Sequence, residues 1–273
     1  MDAASAREPG YVTQTTADQS KLPFWKRSHY LDRMTLGELV SAYFQHYTII
    51  VYLSIAALCV VGFAFFPAGL WETLGAIAAA VVIYPLVWHL LHQYVLHGQW
   101  MYRIKWLAST WKRIHYDHHQ DPNHLEVLFG ALHTTLPTIA IATAPIGWLI
   151  GGPGGAFAAF AAGILTTCYY EFMHCIQHLS FKPKWKWVQF QKQRHNEHHY
   201  FDEDGNFGIT NYVWDRLLGT YYEKKDRPDR SPTVFNLGYT EEVAVHYPWV
   251  KELSGGIASG HPRRRAMVRD ESA

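Results

Sequence analysis

Four long stretches of this chain carry no Lys, Arg, Asp or Glu, and they restrict its fold more than any other feature. From Tyr47 to Phe66 it reads YTIIVYLSIAALCVVGFAFF. A helix of about twenty such residues is roughly 30 Å long, matches the hydrocarbon core of a bilayer, and satisfies its own backbone hydrogen bonds there. Residues 73–91 and 132–150 repeat the pattern, and 156–172 is uncharged through Tyr170. Pro67-Ala68-Gly69 and Gly151-Gly152-Pro153-Gly154-Gly155 punctuate the runs as tight turns. The expected fold class is all-α: an integral membrane bundle of four transmembrane helices, built as two hairpins.

Charge placement gives this bundle a direction. Five Lys/Arg precede Tyr47, four lie between residues 97 and 131, and fifteen follow His178, whereas the loops at 67–72 and 151–155 hold none. Positive charge stays on the cytoplasmic side, which places both termini and the 97–131 segment there. Trp100, Trp106, Trp111, Trp185 and Trp187 lie among these basic residues and read as an interfacial aromatic belt. Residues 1–20 are polar and small and read as a disordered tail; 21–46, basic and aromatic, fit a segment at the membrane surface. Residues 21–222 form the membrane-embedded domain, and 223–273 a cytoplasmic C-terminal extension in which 239–253 has the pattern of a short helix.

Composition excludes several classes. Charged residues are 17% of the chain, against roughly 25% in soluble proteins. A net charge of +1 gives no electrostatic basis for nucleic-acid binding, and three cysteines make no disulfide framework. Histidine is the outlier, with 17 residues.

Ten of them fall in four clusters: His92 and His97; His115, His118 and His119; His174 and His178; His195, His198 and His199. The second and fourth runs both travel toward the cytoplasm, so their ends deliver His92, His97, His174 and His178 to the face where the other six lie. Positions i, i+3 and i+4 share one face of a helix, so each HxxHH triplet is expected to aim three imidazoles at a common point. His92 and His97 are five apart, which requires the helix to distort or end between them. Neutral imidazole is a good ligand for iron, zinc or copper, and ten suit two ions. The isolated His29, His46, His124, His133, His246 and His261 read as ordinary surface or core residues. Asp117, Glu171 and Glu197 read either as acceptors for the far N–H of ligating rings or as solvated charges. His89, one turn before His92, is a substrate-side or ring-orienting candidate.

The series HxxxxH, HxxHH, HxxxH, HxxHH at the ends of paired spans resembles the fatty acid hydroxylase/sterol desaturase superfamily of membrane-bound di-iron oxygenases. Asn206-Phe207-Gly208 followed by Trp214-Asp215-Arg216-Leu217-Leu218-Gly219-Thr220 is similar to that family's closing NxG…WDxLFGT segment, with Leu218 in place of Phe. The resemblance covers roughly residues 47–222. It implies that the ten histidines hold a dimetal site under a cytoplasmic helical cap. It also implies O2-dependent hydroxylation of a C–H bond in a membrane lipid, of fatty acyl, sphingoid or sterol type. Attack on an unactivated C–H bond calls for redox-active iron, with zinc as a possible substitute in a purified sample. No catalytic residue is required beyond the metal ligands.

Electrons are expected from a separate donor, a reductase or a small b-type cytochrome or ferredoxin. Lys182, Lys184, Lys186, Lys192 and Arg194 would meet either that partner or anionic headgroups. A lipid desaturase or other lipid oxidase with the same centre, or a non-enzymatic metal-binding membrane protein, is the alternative. A transporter, however, should carry polar ligands near mid-span, and these spans hold almost none. The absence of a retrieval signal in the last residues favours a bacterial cytoplasmic membrane over the endoplasmic reticulum.

Overall fold

The computed structural model of the chain describes residues 29–257. The expected tail at 1–20, the start of the surface segment, and His261 with Arg263-Arg264-Arg265 lie outside them. The regular elements of the described residues are all helices, with no strand and one isolated bridge between Tyr30 and His124.

Helix α1 (Leu36–Gln45) begins at a capping box, in which the Thr35 side chain accepts from the Glu38 N–H and Glu38 returns a bond to the Thr35 N–H. It buries Leu39, Ala42 and Tyr43 and leaves Leu36, Val40 and Phe44 exposed at i, i+4 and i+8. An apolar outward stripe suits a helix lying on a membrane surface. Helices α2 (Tyr47–Phe65) and α3 (Leu70–Leu91) then run in opposite directions, turned by the Pro67-Ala68-Gly69 break. After α3 come α4 (Gln99–Arg103), α5 (Lys105–Trp111), α6 (Asp117–Gln120) and α7 (Leu125–Leu128).

Helix α8 (Leu132–His178) spans 47 residues and would be about 70 Å long if straight. It is not straight, because Gly151 and Gly152 leave helical geometry, Gly152 with a φ of 59°. The two limbs fold back on each other: a Cβ added to Gly147 would lie 2.3 Å from the Gly155 carbonyl, and one on Gly163 would lie 2.8 Å from Thr143. The turns of the two hairpins meet, since a Cβ at Gly154 would lie 2.3 Å from the Phe66 carbonyl.

Among the described residues, three helices are thus long and apolar enough to cross a membrane: Tyr47–Phe65, Leu70–Arg103 and Leu132–His178. The expected turn at residues 151–155 lies inside the third of them, at the break where its two limbs fold back. Leu58, Val60, Leu70, Val82, Ile141 and Leu149 are exposed along these helices, an apolar surface suited to lipid. Inside, Ala76 and Ala80 meet Ala159 and Ala162, small residues that let helices approach closely. Tyr52 bonds Thr135 at 2.6 Å and Thr167 donates to Tyr84 at 2.7 Å, so these buried hydroxyls are satisfied.

The remaining elements collect at the opposite end from the turns. They include α9 (Lys186–Tyr200), α10 (Val213–Leu218), α11 (Glu241–His246) and α12 (Trp249–Ser254). The short helix expected over 239–253 is therefore two, divided at Tyr247-Pro248, since proline supplies no N–H to a preceding turn. The segment after residue 222 shares a core with α4 and α5: Tyr239, Ala244 and Val250 pack with Tyr102, Ala108 and Trp111. Trp111 is accordingly not an interfacial residue. It is fully buried and donates to the Leu96 carbonyl at 2.9 Å, whereas Trp106 and Trp185 remain exposed. Two of the basic residues expected on a docking surface are also engaged inside. Arg194 is buried against Glu197 and the Tyr222 carbonyl, and Lys192 donates to the Leu179 carbonyl.

Candidate metal centre

The end of α3 distorts where the His92/His97 spacing requires it. Residues His92–Leu96 form a π-helical turn in which the His97 N–H bonds the His92 carbonyl at 3.0 Å, bringing residues five apart over one face. A second π turn, Lys112–Tyr116, carries His115 and leads into α6 with His118 and His119. The last turn of α8 holds His174 and His178, and the last turns of α9 hold His195, His198 and His199.

The ten imidazoles form two adjacent groups. One contains His92, His97, His115, His119 and His198; the other His118, His174, His178, His195 and His199, with ligand atoms in each lying within 4.8 Å of one another. The expectation that each HxxHH triplet serves one point is therefore corrected. Each gives its i and i+4 rings to one group and its i+3 ring to the other. On a helix, i+4 lies about 40° to one side of i and i+3 about 60° to the other, so a triplet can straddle two points. His118 and His198 are the crossing rings. The rings of His119 and His199 meet between the groups, their centroids 4.3 Å apart and their planes tilted by 33°.

The geometry fits metal ions. Nitrogens bound at roughly 2.1 Å around one ion lie about 3.0 Å apart when adjacent and about 4.2 Å when opposite. Here Nε2 of His115 lies 3.1 Å from that of His92 and 2.9 Å from that of His97. In the other group His118 and His174 are separated by 3.0 Å, and His178 and His195 by 2.9 Å, again between Nε2 atoms. Nε2 of His119, of His198 and of His199 is buried without a hydrogen-bond partner. Two Nε2 lone pairs this close repel one another unless a proton or a metal cation lies between them.

Burial, reinforced by neighbouring rings, holds the imidazoles of His115, His118, His195, His198 and His199 well below the usual histidine range, which favours the neutral, ligating form. His119 is lowered from 6.5 to about 3, mainly by burial. An unfolded ring thus takes up a proton that the folded one refuses between those two values. Stability is present above pH 6.5 and lost as pH falls through that window. Metal-stripped protein in detergent should melt at a lower temperature near pH 5 than near pH 7.5, and an unchanged or higher Tm would contradict this.

Ring orientation comes from backbone carbonyls rather than carboxylates. Nδ1–H of His92 donates to Phe207 at 2.7 Å, that of His198 to Gly205 at 2.8 Å, and that of His119 to Val234 at 3.0 Å. Each bond leaves Nε2 free to ligate. Among the described residues none of the three candidate carboxylates bonds a ring of either group. Asp117 is held by Lys112 at 2.7 Å, Glu197 pairs with Arg194, and Glu171 accepts from the Gly130 N–H. Asp117 and Glu197 are thus taken by cations three to five residues back in the chain, and Glu171 by the backbone. His89 joins neither group; its Nδ1 lies 3.5 Å from Asp215. His29, His46, His124, His133 and His246 also lie outside both groups.

The residue that the sequence left without a role is Asp215. Fully buried, it accepts from the N–H groups of Phe207 at 2.7 Å and Gly208 at 2.9 Å and from the Thr220 hydroxyl at 2.8 Å. Asn206, with a φ of 54°, is tied to Tyr222 through both ends of its amide. The closing motif thus fixes the loop whose carbonyls meet His92 and His198. In the acidic run after the last cluster, Asp202-Glu203-Asp204, Glu203 is buried against Thr233 and Asp202 pairs with Arg227.

A cavity of about 710 Å³, including its open mouth, borders His92 and His115 of one group and His118 and His174 of the other. Its walls are largely apolar, with Trp88, Leu91, Val95, Ile114, Leu128 and Tyr170, while Thr134, Thr135, Thr138 and Glu171 form a polar side.

Comparison with known proteins places this arrangement. The chain is 28% identical over 148 residues to the ceramide very long chain fatty acid hydroxylase SCS7 of Saccharomyces cerevisiae, covering 52% of this chain and 36% of that protein. It therefore spans little more than a third of the yeast protein. It is 27% identical over 175 residues to the dihydroceramide fatty acyl 2-hydroxylase FAH1 of Arabidopsis thaliana, covering 63% of this chain and 70% of the other. The solved structure of full-length scs7p, in which only the hydroxylase domain is visible, has the same fold, with a TM-score of 0.56 and 21% identity over 74% of this chain and 71% of that one. The family model for fatty acid hydroxylase matches residues 77–220, just over half of the chain and all ten clustered histidines. The chain belongs to the fatty acid hydroxylase family.

Proposed function

We propose that this protein hydroxylates a fatty acyl chain of a membrane lipid, with an N-acyl sphingoid lipid as the substrate class and the carbon beside the carbonyl as its target. The observation that carries this reading is the apolar cavity opening onto rings of both histidine groups. The activities for which the SCS7 and FAH1 relatives are named support the substrate class. The ten clustered histidines are the proposed ligands of two iron ions. Bound there, iron supplies the redox chemistry by which O2 and two electrons from a separate carrier convert C–H to C–OH, the second oxygen leaving as water with two protons.

The chain's own residues do the rest. Neutral rings hold the ions, and the carbonyls of Gly205, Phe207 and Val234 keep three rings in register. Trp88, Leu91, Val95 and Tyr170 line a path for an acyl chain and exclude water, and alignment of one carbon against the centre is where the protein lowers the barrier. Thr134, Thr135 and Glu171 face the same space and suit the polar end of the lipid.

The two limbs of α8 are read as two crossings, giving four in all, with the histidine cap and both termini on the cytoplasmic side. The loops free of Lys and Arg support that orientation. A lipid then reaches the cavity without leaving its apolar phase.

Mass spectrometry of total lipids from cells expressing the chain, supplied with iron and a reductant, tests the reading. The expected product is an N-acyl lipid heavier by one oxygen, absent without the chain. A product lighter by two hydrogens would establish desaturation instead. No new lipid, with an acyl sphingoid substrate also supplied, would overturn the assignment.

A further inference from the structure

The two histidine groups are built alike in their ligands but not in what surrounds them. In the group of His92, His97, His115, His119 and His198, three rings donate Nδ1–H to backbone carbonyls at 2.7, 2.8 and 3.0 Å. In the other group, Nδ1 of His118, of His178, of His195 and of His199 is buried with no hydrogen-bond partner, and none of the five rings reaches a carbonyl or carboxylate of the described residues.

The three carbonyls are held in place. Phe207 is clamped by Asp215, and Gly205 precedes Asn206, whose amide is locked to Tyr222. Val234 lies between Thr233, which donates to Glu203, and Phe235, whose carbonyl accepts from Gln120. An imidazole that donates its far N–H to a fixed acceptor is pre-oriented and more basic. Losing one such acceptor typically lowers metal affinity about 10–100-fold.

We propose that the two metal positions are unequal: the position formed by His92, His97, His115, His119 and His198 binds its ion more tightly, and the other is filled last and emptied first. Asp215 and the segment around Val234 are its positioning elements, the latter beyond the 77–220 family match. The proposal rests on the ten rings being ligands, not on the reaction or the lipid. It gives the closing motif and the C-terminal extension a shared task, which is to pre-organise one ion site from two directions.

The test is titration of cobalt(II) into the full-length, metal-stripped protein in detergent. Bound metal per chain and the visible cobalt absorption are read together. Two steps are expected, the first at least about tenfold tighter. His92→Ala should remove the tight step and His199→Ala the weak one. Asp215→Asn should weaken the tight step about 10–100-fold and leave the weak one in place. Thr220→Val, which removes only the hydroxyl bond to Asp215, should move the same step in the same direction by less, and it keeps the test open if Asp215→Asn does not fold.

Two equivalents binding in one step would overturn the inequality while leaving the ligand set intact. Loss of the tight step in His199→Ala but not in His92→Ala would reverse the assignment. Equal weakening of both steps by Asp215→Asn and Thr220→Val would reduce the closing loop to a general structural role. Failure to bind any cobalt would overturn the ligand reading as well.

Discussion

Replacing either crossing histidine, His118→Ala or His198→Ala, is expected to lower hydroxylated lipid by more than about 100-fold, since even an orienting partner of a ligand is worth about 10–100-fold. The two variants damage opposite groups. His118 is the i+3 ring of its triplet and stands 3.0 Å from His174; His198 is the i+3 ring of the other and joins His92, His97, His115 and His119. Each variant should lose bound metal from its own group while the protein remains in the membrane fraction at wild-type abundance, because both rings are buried and take no part in the lipid-facing surface of the spans. His124→Ala is the contrast. That ring stacks on Tyr30 and pairs with Glu126, away from both groups, so product should be nearly unchanged. Full activity in either crossing variant would rule out the dimetal reading.

The second large effect lies far from the histidines. A Cβ at Gly155 would sit 2.2 Å from the carbonyl oxygen of Gly147, a backbone atom that cannot rotate aside. Gly155→Leu must therefore separate the limbs of α8 and undo the nearby approach of Gly163 to Thr143 and Ile139. Overpacking alone costs about 1–3 kcal/mol, and lost interhelical packing adds to it. The second limb also carries His174 and His178, so displacement changes their register against His118 and His195. The expected outcome is a marked fall in Tm and in monodisperse protein on size exclusion, with loss of bound metal. Gly152→Ala separates crowding from backbone strain. Nothing lies within 4 Å of its Cβ, but a φ of 59° costs a side chain about 1–3 kcal/mol. It should lower Tm without emptying the centre. A Gly155→Leu protein with unchanged Tm and metal content would refute the close-packed hairpin.

Features written as local patterns could be read without coordinates. The distortion between His92 and His97 follows from the period of a helix, the spans from uncharged runs of its length across a bilayer, the turns at Pro67 and Gly151 from proline and glycine, and the gathering of ten histidines at one end from charge placement. Errors arose where a residue type has two common environments. Trp111 and Arg194 match a membrane interface by composition, yet both are interior, because Tyr239 and Val250 from the distant C-terminal segment cover the first and Glu197 with the Tyr222 carbonyl engages the second. The three carboxylates beside the clusters were plausible acceptors, but a backbone carbonyl serves equally well and leaves no mark on the sequence.

Residue order alone establishes which groups are present: helices long enough for a membrane, imidazoles in number for two ions, and spacings that bring those rings to helix faces. How the rings divide depends on the packing of the folded chain. An HxxHH helix presents rings to both sides of its axis, and the choice of His115 with His119 for one group and His118 for the other depends on what faces them. The π turn after α3 brings His92 and His97 to one side, and the ends of α8 and α9 bring His174, His178, His195 and His199 to the other. Fixing those directions takes contacts between residues more than a hundred positions apart, such as His92 with Phe207 and His119 with Val234. Spacing along one helix sets the angles between its own rings; packing sets where they converge.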